Sequence, residues 1–214
     1  MTATEDRRKR IADAALDIIA SDGIRALTHR AVDRRLDLSL GSTSYYFRTK
    51  RELLDAAVGH LHEISRREFA RFLATRRGAL PDLPVIASDI ATAIDHMLAT
   101  RARDLRARYA LTLEMVHDKE IQLALTSTIF SKSLTTGMVA QLGSVRPEVD
   151  SANLIALFEG FVLDRIVGAG AFVGPRPGTP ESVCVLTAGI LTFLRGLDRG
   201  ISSGRTPESR KQER

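Results

Sequence analysis

Apolar residues along this chain recur at intervals of three and four, and no stretch alternates apolar with polar residues as a half-buried strand does. The expected fold class is therefore all-α. From Arg7 to Ala20, Ile11, Ala15, Ile18 and Ile19 fall on one helical face while Arg8, Asp13 and Asp17 fall elsewhere, and Gly23 stands where a C-terminal cap belongs. A first helix over 5–21 follows from this pattern. Two short helices come next: Thr28 offers an N-cap hydroxyl for one through Leu36, and Ser39 offers another for one ending at Phe47. Thr49 and Glu52 have capping-box spacing, in which each side chain satisfies a free backbone donor of the other, and they open a long amphipathic helix through Leu73.

Gly78, Pro81 and Pro84 interrupt the pattern, after which helices are expected at 84–101, 104–117, 119–142, 148–168 and 180–199. The stretch 170–179 is too rich in glycine and proline for a helix, whereas Thr179, Pro180 and Glu181 read as an N-cap, a first-position proline and an acid at the positive helix end. The tail 202–214 has no apolar residue except Pro207, so disorder is expected there.

At 214 residues the chain can bury a substantial core without staples. Its single cysteine, Cys184, excludes a disulfide scaffold within the chain and any cysteine-based zinc finger, and fits a reducing cytoplasm. Lysine plus arginine (31) exceed aspartate plus glutamate (26), a formal charge of +5 that admits a polyanionic partner without establishing one. The polar first ten residues do not resemble a signal peptide, and no run reaches the roughly 18 apolar residues of a membrane span. A soluble, cytoplasmic protein with no membrane partner is expected.

The most informative segment is 24–54. Two helices of one to two turns joined by a tight turn form a helix-turn-helix, whose second helix fits the roughly 12 Å major groove of DNA. Ser42, Thr43, Ser44, Tyr45 and Tyr46 crowd that second helix with donors and aromatic surface, while Leu38 and Phe47 bracket it as anchors. Arg25, His29, Arg30, Arg34, Arg48 and Lys50 flank it and can neutralise phosphates, adding affinity and salt sensitivity without reading sequence.

These residues resemble the helix-turn-helix of TetR-family transcriptional regulators from about Gly23 to Leu54. The likeness is carried by Thr28, by Leu38-Ser39 at the turn exit, by Gly41, and by Tyr46-Phe47 followed by Lys50, Leu53 and Leu54. The chain departs from the common family pattern at Asp33, Leu36 and Asp37, and has Ser44 where a tyrosine is frequent, with Tyr45 beside it. Aspartate tolerates the left-handed conformation that a turn at Asp37 asks for.

The resemblance implies an N-terminal three-helix DNA-binding domain (1–50), a helical ligand-binding and dimerisation domain (51–201) and the tail (202–214). It further implies a homodimer, paired through the helices 148–168 and 180–199, that binds a near-palindromic operator and is released by a small-molecule effector. Expected DNA contacts are Thr28, His29, Arg30, Ser42, Thr43, Ser44, Tyr45, Tyr46 and Lys50. Thr28 also serves as a cap, and Phe47 is expected in the core. Arg7 to Arg10 are either a solvated face or an arm toward phosphate.

An effector pocket would lie between helices of the larger domain, mostly apolar with a few polar groups. Met97, Tyr109, Leu113, Phe130, Phe158 and Glu159 are the candidates. Glu159 stands out as an acid within Phe-Glu-Gly-Phe, and its simplest explanation is an ion pair with a nearby arginine such as Arg101 or Arg165. Leu154, Leu157, Phe158, Phe161 and Val162 form one apolar stripe, and Leu186, Ile190, Phe193, Leu194 and Leu197 another; either an intrachain core or a partner would cover them.

Catalytic constellations are not defensible from spacing, and no cofactor or metal is expected. Glu114 and His117 form a single Glu-x-x-His, where a di-metal carboxylate bundle needs two plus further glutamates. His60 and His62 fall on nearly opposite helical faces. Gly168 and Gly170 follow no strand and lack dinucleotide-loop spacing.

Overall fold

The computed structural model describes residues 2–74 and 82–197, of which 69–74 by their backbone alone. Its order is α1 (Ala3–Asp22), a single 3-10 turn (Ile24–Ala26), α2 (His29–Arg35), α3 (Ser42–Tyr46), α4 (Lys50–Ala74), α5 (Leu83–Thr100), α6 (Ala102–Glu114), α7 (Lys119–Leu125), α8 (Lys132–Gln141), α9 (Pro147–Val167), α10 (Gly170–Val173) and α11 (Pro180–Arg195). Among the described residues there is no strand, as the periodicity requires. The breakers Gly78 and Pro81 and the tail 202–214 lie outside the described residues.

Two of the expected elements take a different form. The segment 119–142 is not one helix but two, because Thr126, Ser127 and Thr128 turn their hydroxyls onto the carbonyls of Leu123, Ala124 and Leu125, three residues back. Such local bonds compete with helix propagation, and Ser131 then caps α8 by accepting the Leu134 N–H. The glycine-rich stretch after α9 holds one short helix, α10, rather than being wholly irregular. At the start of α4 the capping box is only half formed: Thr49 accepts the Glu52 N–H, but Glu52 reaches back to the N–H of Arg48.

Buried apolar side chains gather into two clusters. The first joins Ile11, Leu16 and Ile19 of α1, Val32 of α2, Phe47, and Leu53, Ala57 and Leu61 of α4. It does not stop at the expected domain border, since Ala107 and Leu111 of α6 and Ile121 and Leu125 of α7 belong to it. The second joins Ile86, Ile90 and Ile94 of α5, Leu105 and Tyr109 of α6, Val139 of α8, Leu154, Phe158 and Val162 of α9, and Leu186, Ile190 and Leu194 of α11. Helix α6 thus has two apolar faces: the i, i+4 pair Ala107 and Leu111 serves one core, and Leu105 and Tyr109 the other. Most of the two stripes expected on α9 and α11 is consumed inside the chain.

A polar seam fastens α1 to α6. Arg103 bonds Asp13 at 2.9 Å, Asp17 at 2.7 Å and its neighbour Asp104 at 2.6 Å, and His60 of α4 approaches Asp13 at 3.3 Å. Arg51, at the start of α4, reaches Asp55 on its own helix and Asp118 and Glu120 at the start of α7.

Candidate nucleic-acid interface

The two short helices owe their arrangement to backbone groups that have few intrahelical partners. Thr28 caps α2, its hydroxyl accepting the Ala31 N–H at 3.1 Å. The chain then turns through Asp37, which adopts a left-handed φ of 51°, and Gly41, at φ 90°, which replaces Ser39 as the residue capping α3. Glycine suits this conformation because it has no Cβ to clash, but it brings no side-chain oxygen to the helix start. Asp33, on α2, supplies one. Its carboxylate accepts the Gly41 N–H at 2.8 Å, the Thr43 N–H at 2.8 Å and the Thr43 hydroxyl at 2.6 Å.

Asp33 is 1% exposed. Burial pushes its pKa up, but the hydrogen bonds from the Thr43 hydroxyl and from the Thr43 and Gly41 amides outweigh it and hold the carboxyl below its ordinary value.

The opposite end of α3 is held by side chains of α1 and α2. Arg8 of α1 donates to the Tyr46 carbonyl at 2.9 Å and lays its guanidinium 4.4 Å from the centre of the Phe47 ring. His29 donates from Nε2 to the Phe47 carbonyl at 2.7 Å. Phe47 itself is buried in the first core, as expected. Lys50 places Nζ 2.9 Å from the Ile24 carbonyl, tying α4 to the 3-10 turn.

With α3 so placed, the expected contact residues separate. Ser44 and Tyr45 are exposed, Ser42 and Tyr46 half-buried, and the Tyr45 and Tyr46 rings meet edge to face at 5.1 Å. Thr28 and Arg30 are exposed on α2 and its cap. Thr43 is the exception: it is fully buried, and its hydroxyl is committed to Asp33, so it turns away from the surface where DNA would lie. Leu40, not among the expected contacts, is 75% exposed on the turn just before α3. An apolar residue inside a polar turn was the available signal.

In the larger half the effector candidates also separate. Met97, Tyr109, Phe130 and Phe158 belong to the second core, and the Phe130 and Phe158 rings lie 5.3 Å apart. Leu113 is 73% exposed and outside that core. Glu159 forms the expected ion pair with an arginine, but the partner is Arg108 rather than Arg101 or Arg165: Arg108 holds it through two hydrogen bonds, and the Tyr109 hydroxyl donates to it at 2.8 Å. Arg101 instead bonds Asp104 and Ser65, and Arg165 bonds Ser182 and the Pro175 carbonyl. Burial, and then the Glu159 charge, push the Tyr109 phenol well above its usual range.

An open groove of about 580 Å³ beside the start of α4 is lined by Arg51, Glu114, His117 and Lys119 among others, and by none of the six effector candidates. Among the described residues no three histidine, cysteine or acidic side chains come together as a metal site would need. No described helix is long and apolar enough to cross a membrane.

A short buried-capped helix presented beside a second short helix, on a scaffold continuous with a larger helical core, defines a helix-turn-helix regulator. Residues 11–57 match the family model described as bacterial regulatory proteins, tetR family, and residues 82–197 match the model for the tetracyclin repressor-like C-terminal domain. The chain belongs to the TetR family of DNA-binding transcriptional regulators. Over 79 residues it is 43% identical to the HTH-type transcriptional repressor KstR of Mycolicibacterium smegmatis, a likeness spanning 36% of this chain and only 35% of that protein. A transcriptional regulator from Rhodococcus sp. Rha1 superposes with a TM-score of 0.71 at 23% identity, covering 92% of this chain and 98% of that one. The multidrug binding protein EbrR, solved with imidazole, superposes with a TM-score of 0.61 at 23% identity, covering 88% of this chain and 94% of that one.

Proposed function

We propose that this chain is a homodimeric repressor that binds a near-palindromic DNA operator and leaves it when a small molecule enters the larger helical half. The observation that carries the reading is the exposure of Ser44, Tyr45 and the edge of Tyr46 on a helix capped at both ends by buried or stacked side chains. Ser42, Ser44, Tyr45 and Leu40 face the bases; Thr28, Arg30, Tyr46 and Lys50 meet phosphates, with His29 holding the helix between them. Nothing catalytic is asked of the chain. The likeness to the repressor KstR over 79 residues supports repression.

The dimer forms through the outer faces of α9 and α11, where Leu163, Val167 and Val185 remain exposed after the intrachain core is filled. A two-fold axis there sets the two α3 helices about one DNA turn apart, roughly 34–36 Å. The effector site is assigned to the second core around Met97, Tyr109, Phe130, Phe158 and Glu159. EbrR, a structural neighbour, has been solved with proflavin, ethidium and malachite green, which is in keeping with an aromatic-lined helical pocket. Effector binding changes the angle of α4 against the second core, because α4 begins in the DNA-reading half and runs on toward the regulatory one. An effector shifts the equilibrium only by its preference for one of the two arrangements.

Selection of duplexes from a random DNA pool by the purified protein, at near-physiological salt and with Tyr46→Ala as control, tests the reading. A two-fold symmetric site enriched by the native chain and lost in the control supports it. No enrichment from a folded, dimeric protein refutes it.

A further inference from the structure

Helix α3 is five residues long and has no side-chain cap of its own, because Gly41 stands at its N-cap. A helix this short does not hold itself, since nucleation fixes several residues for each bond gained. Its position must come from elsewhere in the fold.

We infer that Asp33 is the positioning residue of the DNA-reading helix: from α2 it acts as a borrowed N-cap for α3 and sets which side chains of that helix face the groove. The inference rests on the DNA-binding reading above and deepens it. Three hydrogen bonds within 2.8 Å converge on one carboxylate, two of them from backbone amides at the start of α3 and one from the Thr43 hydroxyl. Both Asp33 and Thr43 are buried, at 1% and 0% exposure, so water does not compete for these bonds. A negative charge at this end also complements the partial positive charge of the free amides, and Arg8 complements the other end at the Tyr46 carbonyl.

The geometry explains the inward turn of Thr43. Once its hydroxyl is bound to Asp33, helical spacing of about 100° per residue carries Ser44 and Tyr45 outward, and Leu40 stands exposed beside them. Residue 33 would therefore govern discrimination between DNA sequences while touching none of them. The phosphate-facing groups Arg30 and Thr28 are placed by α2 itself and do not depend on this carboxylate.

The test uses the full-length protein, its Asp33→Ala variant and its Asp33→Asn variant, with the duplex selected by the native chain and a scrambled duplex of equal length. Two quantities are read: the ratio of affinities for the two duplexes, and amide hydrogen exchange at Gly41 and Thr43 in free protein. Asp33→Ala is expected to speed exchange at both amides by at least tenfold and to lower the affinity ratio roughly tenfold or more, as losing hydrogen bonds to a buried charge implies. Binding to the scrambled duplex and exchange in α9 and α11 should stay within about twofold. Asp33→Asn, which keeps one acceptor oxygen, should recover part of both losses.

An unchanged ratio and unchanged exchange in Asp33→Ala overturn the inference, as does an equal loss on both duplexes, which would mark a residue that only stabilises. Should the alanine variant fail to fold, the asparagine variant decides on the same two readouts. If the native chain selects no duplex, the DNA reading has failed instead, and exchange at Gly41 and Thr43 still decides whether Asp33 holds α3.

Discussion

Arg108 of α6 grips the carboxylate of Glu159 on α9 through two hydrogen bonds, Nη2 to Oε1 at 2.7 Å and Nη1 to Oε2 at 3.0 Å. The guanidinium is 8% exposed at its side chain and the carboxylate 27%, so the pair sits at the edge of the second core rather than on its surface. Its third donor, Nε, reaches the Thr128 hydroxyl at 2.9 Å, and the Thr128 carbonyl in turn accepts from Ser65 on α4. One ion pair therefore joins α9 to α6 and, through Thr128, to α4, the helix that follows the helix-turn-helix.

Glu159→Gln should lower stability by about 1–3 kcal/mol, the scale of a charged hydrogen bond weakened around a buried partner. Arg108 cannot escape to water as readily as a surface arginine could. Chemical denaturation of the two proteins measures the difference, and a change below about 0.5 kcal/mol would show that the pair is as idle as a solvent-exposed one.

Leu40→Ala should leave folding within about 0.5 kcal/mol of the native value, because the side chain is 75% exposed and packs on nothing that the cores need. The same change should weaken binding to the selected duplex by about 1 kcal/mol where an apolar contact to a thymine methyl is lost. Equal affinity of both proteins for that duplex would remove Leu40 from the reading surface.

The pH dependence of stability follows from His60. Burial lowers its pKa from the ordinary 6.5, opposed in part by the charge of Asp13. The unfolded chain then binds the proton more readily than the folded one, so stability is full above the unfolded pKa and falls as the pH drops below about 6.5. His60→Gln should flatten that region of the curve. The carboxyls of Asp13 and Asp33, both held below their usual 3.8, add a second loss at more acid pH. Thermal melts at a series of pH values check both arms, and a native protein that gains stability on acidification from pH 7 to 5 would contradict the first.

Leu111→Ala removes a fully buried side chain from the face of α6 that serves the first core, and should cost about 2–5 kcal/mol. Because Leu111 stands on a helix of the larger half, the destabilisation should appear in α1 as well as in α6. Hydrogen exchange confined to α6 would show that the first core does not depend on it.

What could be read from the residues was periodic or local. The spacing of Ile11, Ala15, Ile18 and Ile19 places α1 within two residues at its start, and Thr179-Pro180-Glu181 marks the first residue of α11. The Asp37 turn was legible because so few residues tolerate its conformation. The interruption at Thr126 to Thr128 was not, since a hydroxyl that bonds its own backbone leaves no mark on apolar spacing. Contacts between distant residues were the least legible. Arg108 and Glu159 are 51 positions apart, and nothing local distinguishes Arg108 from Arg101 or Arg165 as a partner. Asp33 looked like a departure from a family pattern, and its purpose became visible only when Gly41 and Thr43 were found around it.

Helix α6, apolar on two sides, has a consequence for anyone who would exchange parts of this protein with those of a relative. A fragment ending at residue 74 would lack Ala107, Leu111, Ile121 and Leu125, which now share one buried core with Leu16, Ile19 and Leu61. The DNA-reading half is thus not a detachable cartridge. A working chimera has to carry α6 and α7 with it, and sequence drift in the larger half is bounded by what α1 will still accept.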